Sequence, residues 1–170
     1  MDSIDGVTVA KFLAVPTAFL LSGFGASFSQ ITLPLLYNQP ASVSTPVFSG
    51  VYYGGGKVVG PGAIVSTLAS IYLAYVLPEQ RIQFATAATL TLGVPVFTGL
   101  VMHGGINKLL KISESVALQA KADASGEAVE LMKTWAVQNW IRASMPFVAG
   151  LIGLWAIHSG TRSQKVKVRS

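Results

Sequence analysis

Four stretches of this chain carry no charge, bounded by Lys11 and Lys57, Lys57 and Glu79, Arg81 and Lys108, and Arg142 and Arg162. A helix that crosses a bilayer needs about 20 consecutive, mostly apolar residues to clear the hydrocarbon core. Each gap can hold one such helix. Of the 170 residues, 51% are hydrophobic and only 11% are charged, and the mean hydropathy of +0.56 is ordinary for a membrane chain and unusual for a soluble one. The expected architecture is therefore all-α: an integral membrane four-helix bundle forming a single membrane domain. Its spans are expected at about 9–36, 63–77, 82–102 and 138–158, with an extramembrane helical segment between the third and fourth and a basic tail at 161–170.

The residue inventory excludes several function classes. There is no cysteine, so neither disulfides nor thiolate ligands are available. Four spans put His103 and His158 at opposite membrane surfaces, so one monomer cannot ligate a metal or a haem with both. No Asp or Glu falls inside a span, and no metal site is expected. The triplet Gly54-Gly55-Gly56 lacks the strand–turn–helix setting of a phosphate loop. An enzyme built from this chain would work without a bound cofactor. The net charge of +5 includes Arg162, Lys165, Lys167 and Arg169 near the end of the chain. That cluster reads as a juxtamembrane segment facing lipid headgroups, with no nucleic-acid partner implied, and it favours cytoplasmic termini.

In chain order, Asp2 and Asp5 precede any basic residue, which is the wrong sign for a secretory signal, so the first span is expected to be retained. Ser22, Gly23, Ala26 and Ser27 offer small residues for close helix packing within it. Residues 37–61, rich in Pro, Ser and Gly, read as a long connection carrying Tyr52 and Tyr53. Pro78 to Arg81 is a short turn between antiparallel spans. Pro95 should kink the third span. Residues 108–124 form an amphipathic pattern that ends at Ser125-Gly126, where Ser125 and Glu127 suit the start of a new helix.

Polar residues gather toward one end of this topology. Residues 37–61 and 108–133 share one side of the membrane, so Gln30, Tyr52, Tyr53, His103, Asn107, Trp135, Asn139 and Arg142 all fall near it. Trp135, Asn139 and Arg142 lie at i, i+4 and i+7, one face of a helix. Trp140 and Trp155 are about 22 Å apart along the same helix, as interfacial anchors would be. Such a polar face is either an interhelical hydrogen-bonded seam or the lining of a pocket.

The order Gly23…Ser27…Pro34, Tyr53…Gly56…Pro61, Pro95-x-x-Thr98…Asn107-x-x-Leu110 and Trp135-x-x-x-Asn139-x-x-Arg142 resembles the fungal anthrone oxygenase family of small four-span membrane proteins. The resemblance runs from about Phe12 to Ile157, with the Asn107 and Trp135–Asn139–Arg142 blocks its most specific parts. One departure is local: the family usually has Pro-Thr before the Asn, whereas this chain reads His103-Gly-Gly-Ile-Asn107.

The resemblance implies oxidation of a hydrophobic aromatic substrate, an anthrone, by dioxygen without metal or flavin, in polyketide biosynthesis at the endoplasmic reticulum membrane. Such a reaction asks for a base, donors for an enolate oxygen and a dry apolar slot. His103 is the candidate base, because an imidazole titrates near neutral pH. Arg142, Asn139 and Asn107 are the candidate oxyanion donors. Trp135 with Tyr52 or Tyr53 would stack on the substrate, and Gln30 completes the candidate binding set. Alternatives of other classes are a membrane cyclase, isomerase or dehydratase using the same pocket, and a non-enzymatic four-span binding protein. A homo-oligomer is compatible with either.

Overall fold

A computed structural model describes residues 5–167, with side chains to residue 160. Among the described residues there are helices and no strands. The helices are α1 (Gly6–Leu36), α2 (Ala41–Val76), α3 (Pro78–Ser113), α4 (Val116–Ser125) and α5 (Glu127–Lys167). Four of them, α1, α2, α3 and the Glu127–Gly160 part of α5, are long and apolar enough to cross a membrane. The side chains of the basic tail, Arg162, Lys165, Lys167 and Arg169, lie outside the described residues, as does Asp2.

Sequence signals located most helix ends. Pro78 opens the short turn that starts α3. Gly126, at φ 72°, terminates α4 in the left-handed conformation that glycine adopts without strain. The Ser125 hydroxyl accepts from the Glu127 amide, and Glu127 and Glu130 occupy the positive first turn of α5.

Two connections depart from expectation. The predicted loop at 37–61 shrinks to residues 37–40, and α2 runs unbroken from Ala41 through Tyr52, Tyr53, the three glycines and Pro61. Gly and Pro are poor helix formers in water, but in hydrocarbon the backbone must satisfy its own hydrogen bonds, which favours the helix. The helices are correspondingly longer than the expected spans. The amphipathic segment 108–124 divides: α3 continues through His103 to Ser113, the chain breaks at Glu114 and Ser115, and α4 follows. Ser115 caps α4 by accepting from the Leu118 amide, and Gln119 Nε2 donates to the Ser113 carbonyl across the break at 3.1 Å.

The chain divides into two compact units, each drawing on α1, α2, α3 and α5. The first comprises the chain up to Ser22, Pro61–Val94 and Ser144 onward; the second comprises Gly23–Gly60 and Pro95–Ala143. Small residues build the first unit's core. Ala10, Ala14 and Ala18 recur every four residues along α1 and are all buried. The Ser66 hydroxyl donates to the Ala14 carbonyl at 2.9 Å, and Thr67 and Thr91 share a buried hydrogen bond at 3.0 Å. Gly153 lies so close to its neighbour that an added Cβ would sit 2.7 Å from Val15 Cγ2. Close helix contact of this kind supplies the dispersion energy that replaces hydrophobic driving force in lipid.

The second unit has larger core residues, including Phe48, Met102, Leu109, Met132 and Trp135. Helix α4 is fastened into it by Asp123, whose Oδ1 accepts from the Ala41 amide at 2.6 Å. Pro40, just before α2, has no side-chain oxygen with which to cap the helix. The carboxylate of Asp123 takes that role from a distant part of the chain. Nearby, burial lifts the phenol of Tyr37 above the usual tyrosine range, and Lys133 pulls it partway back.

Candidate functional site

Two of the helices in the second unit contain a widened, π-helical turn: Phe28–Thr32 in α1 and Thr98–Met102 in α3. Such turns are inserted single residues, and they concentrate at functional sites. The α3 turn follows Pro95, which has no amide proton to give to the preceding turn. Each turn delivers one hydroxyl, Ser29 from α1 and Thr98 from α3, to the polar face of α5.

That face is organised by Asn139, which is fully buried. Its Nδ2 donates to the Gly25 carbonyl and to Ser29 Oγ, both at 2.7 Å. Its Oδ1 accepts from Arg142 Nη2 at 2.5 Å. Ser29 in turn donates to the Ala136 carbonyl at 3.2 Å. Gly25 makes this approach possible: an added Cβ would stand 3.3 Å from the Cβ of Ala143. Arg142 is half-buried, donates through Nη1 to Thr98 Oγ1 at 3.1 Å, and holds its Cζ 5.8 Å from the centre of the Trp135 ring. A cation at that distance is attracted to the negative face of the indole.

Neutral groups therefore fix the guanidinium on three sides. No carboxylate pairs with it among the described residues. A cation in a membrane helix is costly unless something compensates it. Two of its five N–H groups have partners here, which leaves donors for an anionic oxygen.

The structure thus brings together Trp135, Asn139 and Arg142 from the expected set. It joins Asn107 to His103 instead, with Nδ2 of the amide 2.8 Å from Nε2 of the ring. His103 is exposed, and Asn107 is half-buried. Tyr52 stacks on Phe48 with centroids 6.4 Å apart and ring planes 7° from parallel, and it meets Tyr53 edge-on at 5.4 Å. Tyr53 is exposed, as is Gln30, and Gln30 has no partner among the described residues. Trp135 is buried and meets Phe48 edge-on at 5.4 Å. Among the described residues, no group of three His, Asp or Glu side chains is placed to hold a metal ion.

Sequence reasoning did not assign Ser29, Thr98 or Gly25 to the site, although Thr98 stood in the Pro95-x-x-Thr98 motif. Thr98 stands three residues after a proline in an apolar span. Ser29 is a small polar residue beside the more conspicuous Gln30. Both were visible as polar positions in lipid-length helices.

A family model for anthrone oxygenases matches residues 48–152, more than half of the chain and including Trp135, Asn139 and Arg142. The chain is 26% identical over 174 aligned positions to the anthrone oxygenase encC of Aspergillus fumigatus, covering 92% of this chain and 95% of that protein. No solved structure matches it. With the match extending over most of the second unit and into the first, the chain belongs to the anthrone oxygenase family.

Proposed function

We propose that this protein converts an anthrone-type aromatic polyketide to the corresponding quinone with dioxygen, through an enolate held in an apolar membrane pocket and without a bound cofactor. The observation that carries the proposal is the Arg142 guanidinium, held by Asn139, Thr98 and Trp135 with no counter-ion among the described residues. A preorganised cation of this kind stabilises a negative oxygen that develops during reaction, and the donors need no reorganisation when it forms.

An anthrone has a methylene between two aromatic rings, conjugated with a carbonyl. A base removes one methylene proton, and the carbonyl oxygen becomes the enolate oxygen that Arg142 receives. The enolate passes one electron to dioxygen. The carbon radical and superoxide combine, and a returned proton completes a hydroperoxide on the former methylene carbon. Loss of the remaining C–H proton, cleavage of the O–O bond and departure of hydroxide leave the second carbonyl. One dioxygen is consumed, with one oxygen atom in the quinone and one in water.

His103 is the proposed base, with Asn107 orienting it. For that role the Asn107 amide is turned over from its placement in the structure, bringing Oδ1 to the ring, so that Nε2 donates to it and Nδ1 keeps the free lone pair. Trp135 and Tyr52 line the aromatic slot. The exposed Gln30 and Tyr53 have no part in this arrangement. The proposed setting is the endoplasmic reticulum membrane with cytoplasmic termini, where both an apolar substrate and dioxygen dissolve in the bilayer.

The test is turnover of anthrone by the detergent-purified protein under labelled dioxygen and under argon, against a protein-free control. Quinone carrying one labelled oxygen, formed faster than in the control and only under dioxygen, is expected. Transformation of the substrate at equal rates under argon would replace the oxygenase reading with acid–base chemistry, and no acceleration in either atmosphere would remove the enzyme.

A further inference from the structure

Four aromatic rings of the second unit stand in file with a cation at one end. The Arg142 Cζ lies 5.8 Å from the centre of the Trp135 ring. Trp135 meets Phe48 at 5.4 Å, Phe48 stacks on Tyr52 at 6.4 Å, and Tyr52 meets Tyr53 at 5.4 Å. Exposure rises along the file: Trp135 is 4% exposed, Tyr52 is half-buried and Tyr53 is 56% exposed. Indoles and phenols lose a single electron more readily than any side chain but cysteine, and this chain has no cysteine. Phe48 resists oxidation, but one ring between two donors is a gap that an electron tunnels across.

The two ends of the file treat a missing electron differently. On Trp135 the hole is a cation. The indole Nε1–H has no hydrogen-bond partner among the described residues to take its proton, so the positive charge stays beside the Arg142 guanidinium. Like charges repel strongly away from water. A phenol gives up its proton as it loses an electron, so a radical on either tyrosine is neutral and escapes that repulsion. A hole created at Trp135 therefore runs away from Arg142, toward the exposed end.

We propose that Trp135, Tyr52 and Tyr53 form an electron relay that disarms the oxygen radicals of a failed turnover, with a membrane-dissolved hydroquinone as the reductant. The relay rests on the oxygenase reading, in which a hydroperoxide forms in the slot that Trp135 lines. Even cleavage of its O–O bond leaves two oxygen radicals. Each takes one electron from Trp135 and one proton, giving water in one case and the aromatic alcohol in the other. Each hole passes to Tyr52 and then to Tyr53, whose phenolic proton is released outside and balances the one consumed. The Tyr53 radical takes a hydrogen atom from the hydroquinone, and two such transfers oxidise it to its benzoquinone. The sum is hydroperoxide plus hydroquinone giving alcohol, water and benzoquinone. Without the relay, the radicals oxidise Trp135 itself and the core methionines Met102 and Met132.

A light flash drives the relay with no substrate present. In protein carrying Trp140→Phe and Trp155→Phe, Trp135 is the one tryptophan left of three, and a laser flash ionises it in detergent micelles. The indole radical should give way to a phenoxyl radical in transient absorption. Adding Tyr52→Phe, which keeps the ring stack, should lengthen the indole radical's lifetime about tenfold or more. Adding Tyr53→Phe instead should leave a phenoxyl radical whose decay no longer quickens with tetramethylhydroquinone. An unchanged indole lifetime in the Tyr52→Phe protein would overturn the relay. Turnovers are then counted with anthrone, dioxygen and tetramethylhydroquinone. Tyr53→Phe should start at the wild-type rate, complete about tenfold fewer turnovers before it stops, and accumulate oxidised Trp135 in peptide mass spectra. Equal turnover counts with Trp135 intact would overturn the protective role. The expected flash result from a protein that turns over no anthrone would sink the oxygenase reading and leave the electron path standing; normal turnover with an unchanged indole lifetime would do the reverse.

Discussion

Arg142→Lys separates a positioned donor from a mere charge. The guanidinium reaches Thr98 Oγ1 and Asn139 Oδ1 through two different nitrogens while its Cζ lies over the Trp135 ring. An ammonium keeps the charge but is a single point; it cannot span both oxygens from one rotamer or present a planar fork to an enolate. The bond to Thr98 crosses between helices, where polar contacts average about 0.6 kcal/mol, and the bond to Asn139 lies within α5, so weakening both costs about 1 kcal/mol of stability or less. Losing one preorganised donor from an oxyanion site costs about a hundredfold or more in rate. The expected outcome is a small fall in melting temperature in detergent with a loss of about a hundredfold or more in turnover per folded molecule. His103→Ala is measured beside it. If Arg142→Lys turns over within about twofold of wild type, the oxyanion role is refuted; if it merely fails to fold while any folded remainder is fully active, Arg142 is an interhelical strut. If His103→Ala alone stays active, the base lies elsewhere, first at Tyr52.

Other perturbations address the scaffold. Asp123→Ala removes the carboxylate that caps Ala41 and should cost about 1 kcal/mol, with Asp123→Asn recovering part of it, as chemical unfolding in detergent would show. Gly153→Ala and Gly56→Ala should have opposite signs in the same assay. At Gly153 a Cβ meets the stiff Val15 side chain at 2.7 Å, whereas at Gly56 it meets nothing within 4 Å. The first should therefore destabilise despite its better helix propensity, and the second should stabilise by up to about 1 kcal/mol. Four spans place both termini on one face of the membrane, so tags at the two ends should share protease accessibility in sealed vesicles; opposite accessibility would overturn the four-span topology.

What the sequence revealed and what it concealed have separate physical causes. Each of the four long helices contains a charge-free gap, because burying a charge in lipid is a large local penalty, but Lys57, which bounds two of the gaps, lies mid-way along α2 and marks no helix end. Ser125 and Gly126 marked a helix boundary through backbone chemistry that is the same in any solvent. The region 37–61 was misread because Gly and Pro carry their loop meaning from water, where an exposed backbone has partners. Gly55 is packed instead of solvated, with the rings of Phe24 and Phe28 both 3.7 Å from where its Cβ would be. For a different reason, Ser29 was not singled out in the sequence. The π-helical turn at Phe28–Thr32 inserts a residue, so a strict 3.6-residue period gives the wrong facing within it. The His103–Asn107 contact was available as an i, i+4 spacing, but spacing alone cannot say whether Asn107 prefers that neighbour or Arg142.

The carboxylate of Asp123 and the amide of Ala41 are separated by 82 positions in the chain. At a synthesis rate of about 5–20 residues per second, several seconds pass between the two emerging. Throughout that interval the Ala41 amide has only water or headgroups to meet it, although the helix it belongs to is already long enough to be inserted. The capping bond of the second unit can therefore form only after α3 has been made. A nascent chain stopped before Asp123 would hold its membrane helices with α2 still uncapped, which gives quality control a defined point at which an unfinished protein differs from a complete one.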